Sequence, residues 1–236
     1  MFPDWPIPNT RYETLNLTSD GKLSEVRQSH AATLSYKSDV PVQQTDSDSE
    51  ELQFHYIFKK KSYLVGYPYV MLHMSTPTEN DLDVYVQLRK ASVQGTMLRN
   101  INIPMNDLAT VGIKDVEDVD LVNSQVYLGP TGILRASHRS LDPVLSKPYR
   151  PLHDHKAESA LPLEPGRPVR VEIGIWATGI VFQPGERLVL KIAGHPMILA
   201  EFPELRGAHS GPNKGDHVLH FGPEHGNELV VPFVEL

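Results

Sequence analysis

The segment Pro165-Gly166-Arg167-Pro168-Val169-Arg170-Val171-Glu172-Ile173-Gly174-Ile175 decides the fold class. Val169, Val171, Ile173 and Ile175 alternate with Arg170, Glu172 and Gly174. Side chains on a strand point to opposite faces at period two, so the run predicts a strand with one buried face. The same pattern recurs where Leu188, Leu190 and Ile192 alternate with Arg187, Val189 and Lys191, and where Val84, Val86 and Leu88 alternate with Asp83, Tyr85 and Gln87. Six further strands are predicted at Tyr12 to Leu17, Leu52 to Phe58, Tyr67 to Ser75, Gly132 to Ser137, His217 to Phe221 and Glu228 to Val234. Turn-forming pairs punctuate them: Ser19-Asp20-Gly21, Pro165-Gly166 and Pro184-Gly185. With 20 prolines and 16 glycines spread along 236 residues, long helices have no room. Short strands and frequent turns predict an all-β sandwich or barrel.

Three stretches fall outside this pattern. Thr45 to Glu51 is an acidic, serine-containing loop. Asp107 to Asn123 is polar with mixed apolar spacing and has room for one short helix. Pro143 to Pro165 is a long irregular excursion carrying prolines at 143, 148, 151, 162 and 165, and loops of that length are usually functional or pack on a partner.

Apolar residues make up 40% of the chain, enough for a packed core. The formal net charge of -7 argues against nucleic acid and against anionic membranes, both of which call for a basic face. Without cysteine, disulfides, thiolate nucleophiles and zinc–thiolate sites are excluded. No apolar run approaches the ~20 residues that span a bilayer. Met1-Phe2-Pro3-Asp4-Trp5-Pro6 has neither the basic start nor the apolar run of a signal peptide, so a cytoplasmic location is favoured. Trp5-Pro6-Ile7-Pro8 reads as a proline-stiffened connector, which divides the chain into a linker-like segment, residues 1–11, and a domain, residues 12–236.

The Gly-x-Ser-x-Gly elbow of α/β-hydrolases does not occur. Ser137-His138, with Asp142 nearby, offers the residue types of a triad, but neighbours on a strand face opposite sides and a polar pair at a strand end is the expectation. His153-Asp154-His155 puts two imidazoles on one face of an extended segment, without an identifiable third ligand; His217 and His220 fall on opposite faces of one strand. Glu79-Asn80-Asp81-Leu82-Asp83 offers oxygen ligands for calcium, against the simpler reading of an acidic turn whose Asp81 and Asp83 bond backbone amides. Gly207 to Gly215 has the glycine content of a phosphate loop but not its Gly-Lys-Ser/Thr order, and reads as a mobile surface loop. Trp5 and Trp176 read as core or interface residues rather than a sugar platform. No catalytic, cofactor-binding or metal-binding residue is therefore assigned.

Taken in order, several segments resemble one family. They are Trp5-Pro6 leading into Tyr12 to Leu17; Tyr63-Leu64-Val65-Gly66-Tyr67-Pro68; Asp81-Leu82-Asp83-Val84-Tyr85-Val86-Gln87-Leu88; Gly132-Ile133-Leu134-Arg135-Ala136-Ser137-His138-Arg139; Leu163-Glu164-Pro165-Gly166; Ile175-Trp176-Ala177-Thr178; Phe182 to Ile192; and His217 to His220, ending in Leu229 to Pro232. This order resembles the C-terminal domain of the X-Pro dipeptidyl-peptidase and cocaine-esterase-like (CocE/NonD) serine hydrolases, with Glu186 where the family usually has histidine. The resemblance implies a jelly-roll sandwich, similar to galactose-binding-like modules, with one or two short helices in loops. It also implies an α/β-hydrolase domain in cis as partner, which holds the triad, and a role bracing that domain and its pocket; homo-oligomer contacts are a further implied role. None of the family's catalytic residues matches a position here. The alternative is a free-standing carbohydrate or small-ligand binding sandwich, for which exposed aromatics around a concave face are the expected sign.

Overall fold

The structure is a computed structural model that describes residues 4–101, 104–112, 126–200, 202, 204, 206–207 and 210–235. Fifteen strands are formed among them: β1 (Arg11–Thr18), β2 (Lys22–Ser24), β3 (Ala32–Lys37), β4 (Glu51–Ile57), β5 (Ser62–Gly66), β6 (Tyr69–Ser75), β7 (Asp83–Ala91), β8 (Asn100–Ile101), β9 (Val126–Tyr127), β10 (Thr131–Arg135), β11 (Val169–Gly174), β12 (Thr178–Phe182), β13 (Arg187–Ala193), β14 (Asp216–Phe221) and β15 (Glu228–Val234). One six-residue helix, α1 (Met105–Thr110), lies in a loop. It falls partly in the stretch expected to hold a helix; residues 113–123 of that stretch lie outside the described residues.

The strands form an all-β sandwich. One half runs β10-β7-β13-β4, the other β1-β15-β6-β14-β3, and short β2 joins them by pairing with both β1 and β4. Strand β11 extends the second half beside β6, while β5 pairs with the end of β15 and β12 pairs with β5. Apolar faces of the two halves meet in one core. Phe54 of β4 lies 6.3 Å from Phe221 of β14, and Phe58 stacks on Phe182 at 4.3 Å with Phe233 edge-on at 5.8 Å. Aromatic pairs of this geometry add ~1 kcal/mol each beyond the area they bury.

The alternating run in β11 behaves as expected: Val171, Ile173 and the following Ile175 are buried, Arg170 exposed. In β13 the expectation of one buried face is wrong, because Val189 and Lys191 are as buried as Leu188, Leu190 and Ile192. The second face of β7 and β13 is roofed by the acidic loop before β4. Lys191 Nζ pairs with Glu51 at 2.6 Å and donates to the Asp46 carbonyl at 2.9 Å. Arg89, 1% exposed, pairs with the Asp46 carboxylate at 2.9 Å, and Arg99 closes on the same carboxylate. A buried ammonium is tolerable only when paired in this way. Burial pulls the Lys191 ammonium below its ordinary value and Glu51 pulls it back.

Residues ahead of β1 lie on the domain surface: Ile7 is buried, and Trp5 packs edge-on against Tyr67 at 5.9 Å. Met1 to Pro3 lie outside the described residues.

His217 on β14 is 1% exposed, with Nδ1 3.1 Å from the Tyr36 hydroxyl. Burial holds its pKa down at about 4, against the smaller opposite pull of Asp83 and Asp39. An unfolded histidine titrates near 6.5. The unfolded chain therefore binds a proton the folded chain refuses, and stability present above pH 6.5 is lost as pH falls toward 4. The loss through this residue is on the order of 3 kcal/mol. Urea denaturation at pH 7 and pH 4.5 is expected to show that loss in the native chain and a distinctly smaller one in His217→Gln; equal losses would exclude His217 as the source.

Candidate docking face

β10 is the edge strand of its half, and it carries Ile133 outward, 57% exposed. Its position depends on Gly132. A Cβ built there would lie 2.4 Å from the Gly174 carbonyl oxygen and 3.1 Å from the Ile173 side chain, so only glycine lets β10 close against the end of β11. Just beyond β11, the Trp176 N–H donates to the Thr131 carbonyl at 3.1 Å. That bond brings Trp176, 75% exposed, beside Ile133; Ile198, 51% exposed, borders the same hollow. The hollow, about 200 Å³, is lined also by Tyr85, Val86, Met197 and Pro196, and no charged residue lines it. Trp176 is thus neither core nor part of an aromatic cluster. It stands with two isoleucines as an uncovered apolar ridge, the kind of surface that marks an interaction site.

The Arg-Ala-Ser-His-Arg segment anchors this edge. Arg135 forks onto Asp83 with bonds of 2.7 and 2.9 Å, and the carboxylate raises the guanidinium's pKa. Ser137 donates its hydroxyl to Asp81 at 2.6 Å and its N–H to the same carboxylate at 2.9 Å. Arg139 donates to the carbonyls of Ala136 and Leu161. Asp81 and Asp83 are thus held by an arginine, a hydroxyl and the amides of Leu82 and Ser137, the protein-bound arrangement rather than the calcium one. Asn213 clamps the start of β7, accepting from the Asp83 N–H and donating to the carbonyls of Asp83 and Gly194. The Gly207 to Gly215 stretch, read as a mobile loop, is therefore pinned at buried Asn213; Ala208 and His209 lie outside the described residues.

The remaining candidates part company with their strand-based readings. Ser137 and His138 sit in a 3₁₀ turn (Ala136–His138), not on a strand. They are not assembled with Asp142, whose carboxylate accepts the amides of Val144 and Leu145. His153 and His155 are not on one extended face, because His155 has φ 50°. His138 is the third imidazole that the sequence does not reveal, its ring centroid 5.9 Å from that of His155, which lies 5.8 Å from that of His153. His153 Nε2 is engaged with the Glu172 carbonyl at 2.8 Å, and among the described residues no group of three acidic or imidazole side chains is placed to hold a metal ion. His217 and His220 do face opposite sides of β14. Sequence order also hides a serine–histidine contact: Ser75 Oγ lies 2.8 Å from His220 Nε2, but Ser75 is only 2% exposed.

The sequence model for the X-Pro dipeptidyl-peptidase C-terminal non-catalytic domain matches residues 1–230. The chain belongs to that domain family. No curated protein matches it in sequence. A CocE/NonD family hydrolase from Staphylococcus aureus is similar in structure, with 26% identity and a TM-score of 0.77; the alignment covers 99% of this chain and 38% of that one. An aminopeptidase from a marine-sediment Thaumarchaeota archaeon shares the fold at 17% identity and a TM-score of 0.63, again over 99% and 38% of the two chains. An α-amino acid ester hydrolase does so at 16% identity and 0.57, over 94% and 36%. The chain thus spans less than two-fifths of the length of these relatives.

Glu186 stands just before Arg187, the first residue of β13. It pairs with Lys90 at 2.7 Å and accepts the Gln183 N–H at 2.6 Å, closing the turn into β13.

The close approach at Gly132 has a direct consequence. Gly132→Ala is expected to destabilise the domain by about 2–3 kcal/mol, because the added methyl meets backbone that cannot yield freely. Gly179→Ala is the control: its Cβ meets nothing within 4 Å and its φ needs no glycine, so stability should be unchanged or slightly higher. Urea midpoints for both variants check this; equal midpoints would mean that β10 does not depend on that contact.

Proposed function

We propose that this domain is the accessory jelly roll of a CocE/NonD-type serine hydrolase. It braces an α/β-hydrolase domain in the same polypeptide and helps wall the pocket in which that domain cleaves an ester or amide through an acyl-enzyme. The uncovered ridge of Ile133, Trp176 and Ile198 carries this reading, because a largely exposed tryptophan beside two exposed isoleucines is a surface built to be covered. The occupant is the rest of a hydrolase chain: the S. aureus relative devotes 62% of its length, the complement of the 38% aligned, to what lies outside this domain. A tryptophan of this exposure is the residue type that dominates binding energy at interfaces, where it is typically worth 2 kcal/mol or more.

A carbohydrate-binding sandwich is supported less well. The hollow bordered by Ile133 and Ile198 is lined mainly by apolar side chains, Val86, Pro196 and Met197 among them, which suits a protein partner better than a sugar. The side chains that resemble catalytic groups support an accessory role too: Ser137 is held by Asp81 and Ser75 is buried.

The isolated chain is expected to release no product from nitrophenyl esters or from Xaa-Pro nitroanilides. Turnover that survives purification and is abolished by a serine-directed inhibitor would overturn the accessory role.

A further inference from the structure

A second concavity of about 280 Å³ shares Ile133 and Trp176 with the docking hollow. Its floor is Pro68, Ile133, Gly174 and Ile175, and its walls are Trp176, Tyr67, Arg150, His153 and His155. Four observations set this pocket apart from an incidental crevice. The Arg150 guanidinium lies over the Tyr67 ring, 4.6 Å from its centroid, and forms no ion pair among the described residues. His153 commits Nε2 to the Glu172 carbonyl, which fixes the ring and leaves Nδ1 buried without a partner. His155 holds φ at 50°, a left-handed conformation that a non-glycine residue adopts at some energetic expense and that recurs at binding sites. Trp176 offers its indole open to solvent.

The loop that presents these groups is built rather than loose. The Asp142 N–H bonds the Leu152 carbonyl at 2.8 Å, and the Ser146 hydroxyl donates to that carbonyl at 2.9 Å and accepts the Leu152 N–H at 3.0 Å. Lys147 and Arg150 pair through backbone bonds of 3.0 and 2.9 Å in both directions. Arg150 therefore projects from a hydrogen-bonded turn, and the Tyr67 ring holds the guanidinium plane in place. No carboxylate lines the pocket.

The geometry points to a binding site for small carboxylates that carry an aromatic ring. The unpaired guanidinium would take the carboxylate as a two-pronged ion pair. The Trp176 indole would stack on the ring. A carboxylate with an aromatic ring on a short stem satisfies both groups, and N-acetyl-L-phenylalaninate is one such ligand. This inference is separate from the docking reading and is tested on this chain alone; because Ile133 and Trp176 line both hollows, a domain seated on the ridge would compete with the ligand for them.

The test is an NMR titration of the 236-residue chain with N-acetyl-L-phenylalaninate, followed at the indole N–H of Trp176, which Trp176→Phe assigns. Saturable shifts with a Kd on the order of 1 mM or tighter are expected. N-acetyl-L-phenylalanine methylamide, which lacks the charge, and Arg150→Met, which keeps the stem over Tyr67, should each weaken binding at least tenfold. Arg150→Lys, which keeps charge without the fork, should fall between. An unchanged spectrum elsewhere shows that the exposed Arg150 variants remain folded. No shift at ~20 mM ligand, equal binding of acid and methylamide, or undiminished binding by folded Arg150→Met would each overturn the assignment.

Discussion

The functional surface hangs on one close backbone approach. At Gly132 the edge strand β10 comes so near the Gly174 carbonyl that a methyl group would not fit between them. That approach sets Thr131 where its carbonyl accepts the Trp176 N–H, and so places the indole beside Ile133. Arg135, three residues on, forks onto Asp83 and ties the same strand to β7. One glycine, one backbone bond and one ion pair thus turn a strand edge, normally a site of stray pairing, into a defined apolar ridge. The segment from Gly132 to Arg139 is legible in this way as a structural motif: its glycine permits contact, its arginine and serine lock the carboxylates of Asp81 and Asp83, and its second arginine satisfies two loop carbonyls.

Much of the fold could be read from periodicity, because period-two alternation is a property of a single strand. β1, β4, β6, β7, β10, β11, β13, β14 and β15 all coincide with runs visible in the sequence. Strands β3 and β12 were missed for the reason that makes them edges: each has a half-exposed, polar-leaning face with little contrast to read. β2 is too short to display a period, and the consecutive Tyr63-Leu64-Val65 of β5 shows no polar–apolar alternation. The burial of Val189 and Lys191 was hidden for another reason. Alternation tells which side chains share a face, but not whether a distant loop roofs the other face. Here the loop carrying Asp46 and Glu51 does so, and it supplies the counter-charges that make a buried lysine tolerable.

The site was less legible, since it depends on what is brought together from afar. Ser137 was placed at a strand end, whereas the chain leaves β10 at Arg135 and turns, which delivers the hydroxyl to Asp81. The third imidazole, His138, is 15 residues from His153 and 17 from His155 by their numbering and meets them only because the long excursion folds back. The sequence reads Trp176 as core or interface; the structure shows it exposed, which leaves the interface reading. The family likeness carries what periodicity does not: membership in the X-Pro dipeptidyl-peptidase C-terminal non-catalytic domain family.

The most direct measurement is calorimetric titration of this chain with the α/β-hydrolase domain proposed as its partner, comparing the native sequence with Trp176→Asp. If the ridge is the docking face, the native chain forms a one-to-one complex, and the aspartate variant, folded by circular dichroism, binds at least 30-fold more weakly, about 2 kcal/mol. Equal affinity of the two chains, or no complex with the native one, would contradict the assignment of the ridge as the face that meets the catalytic domain.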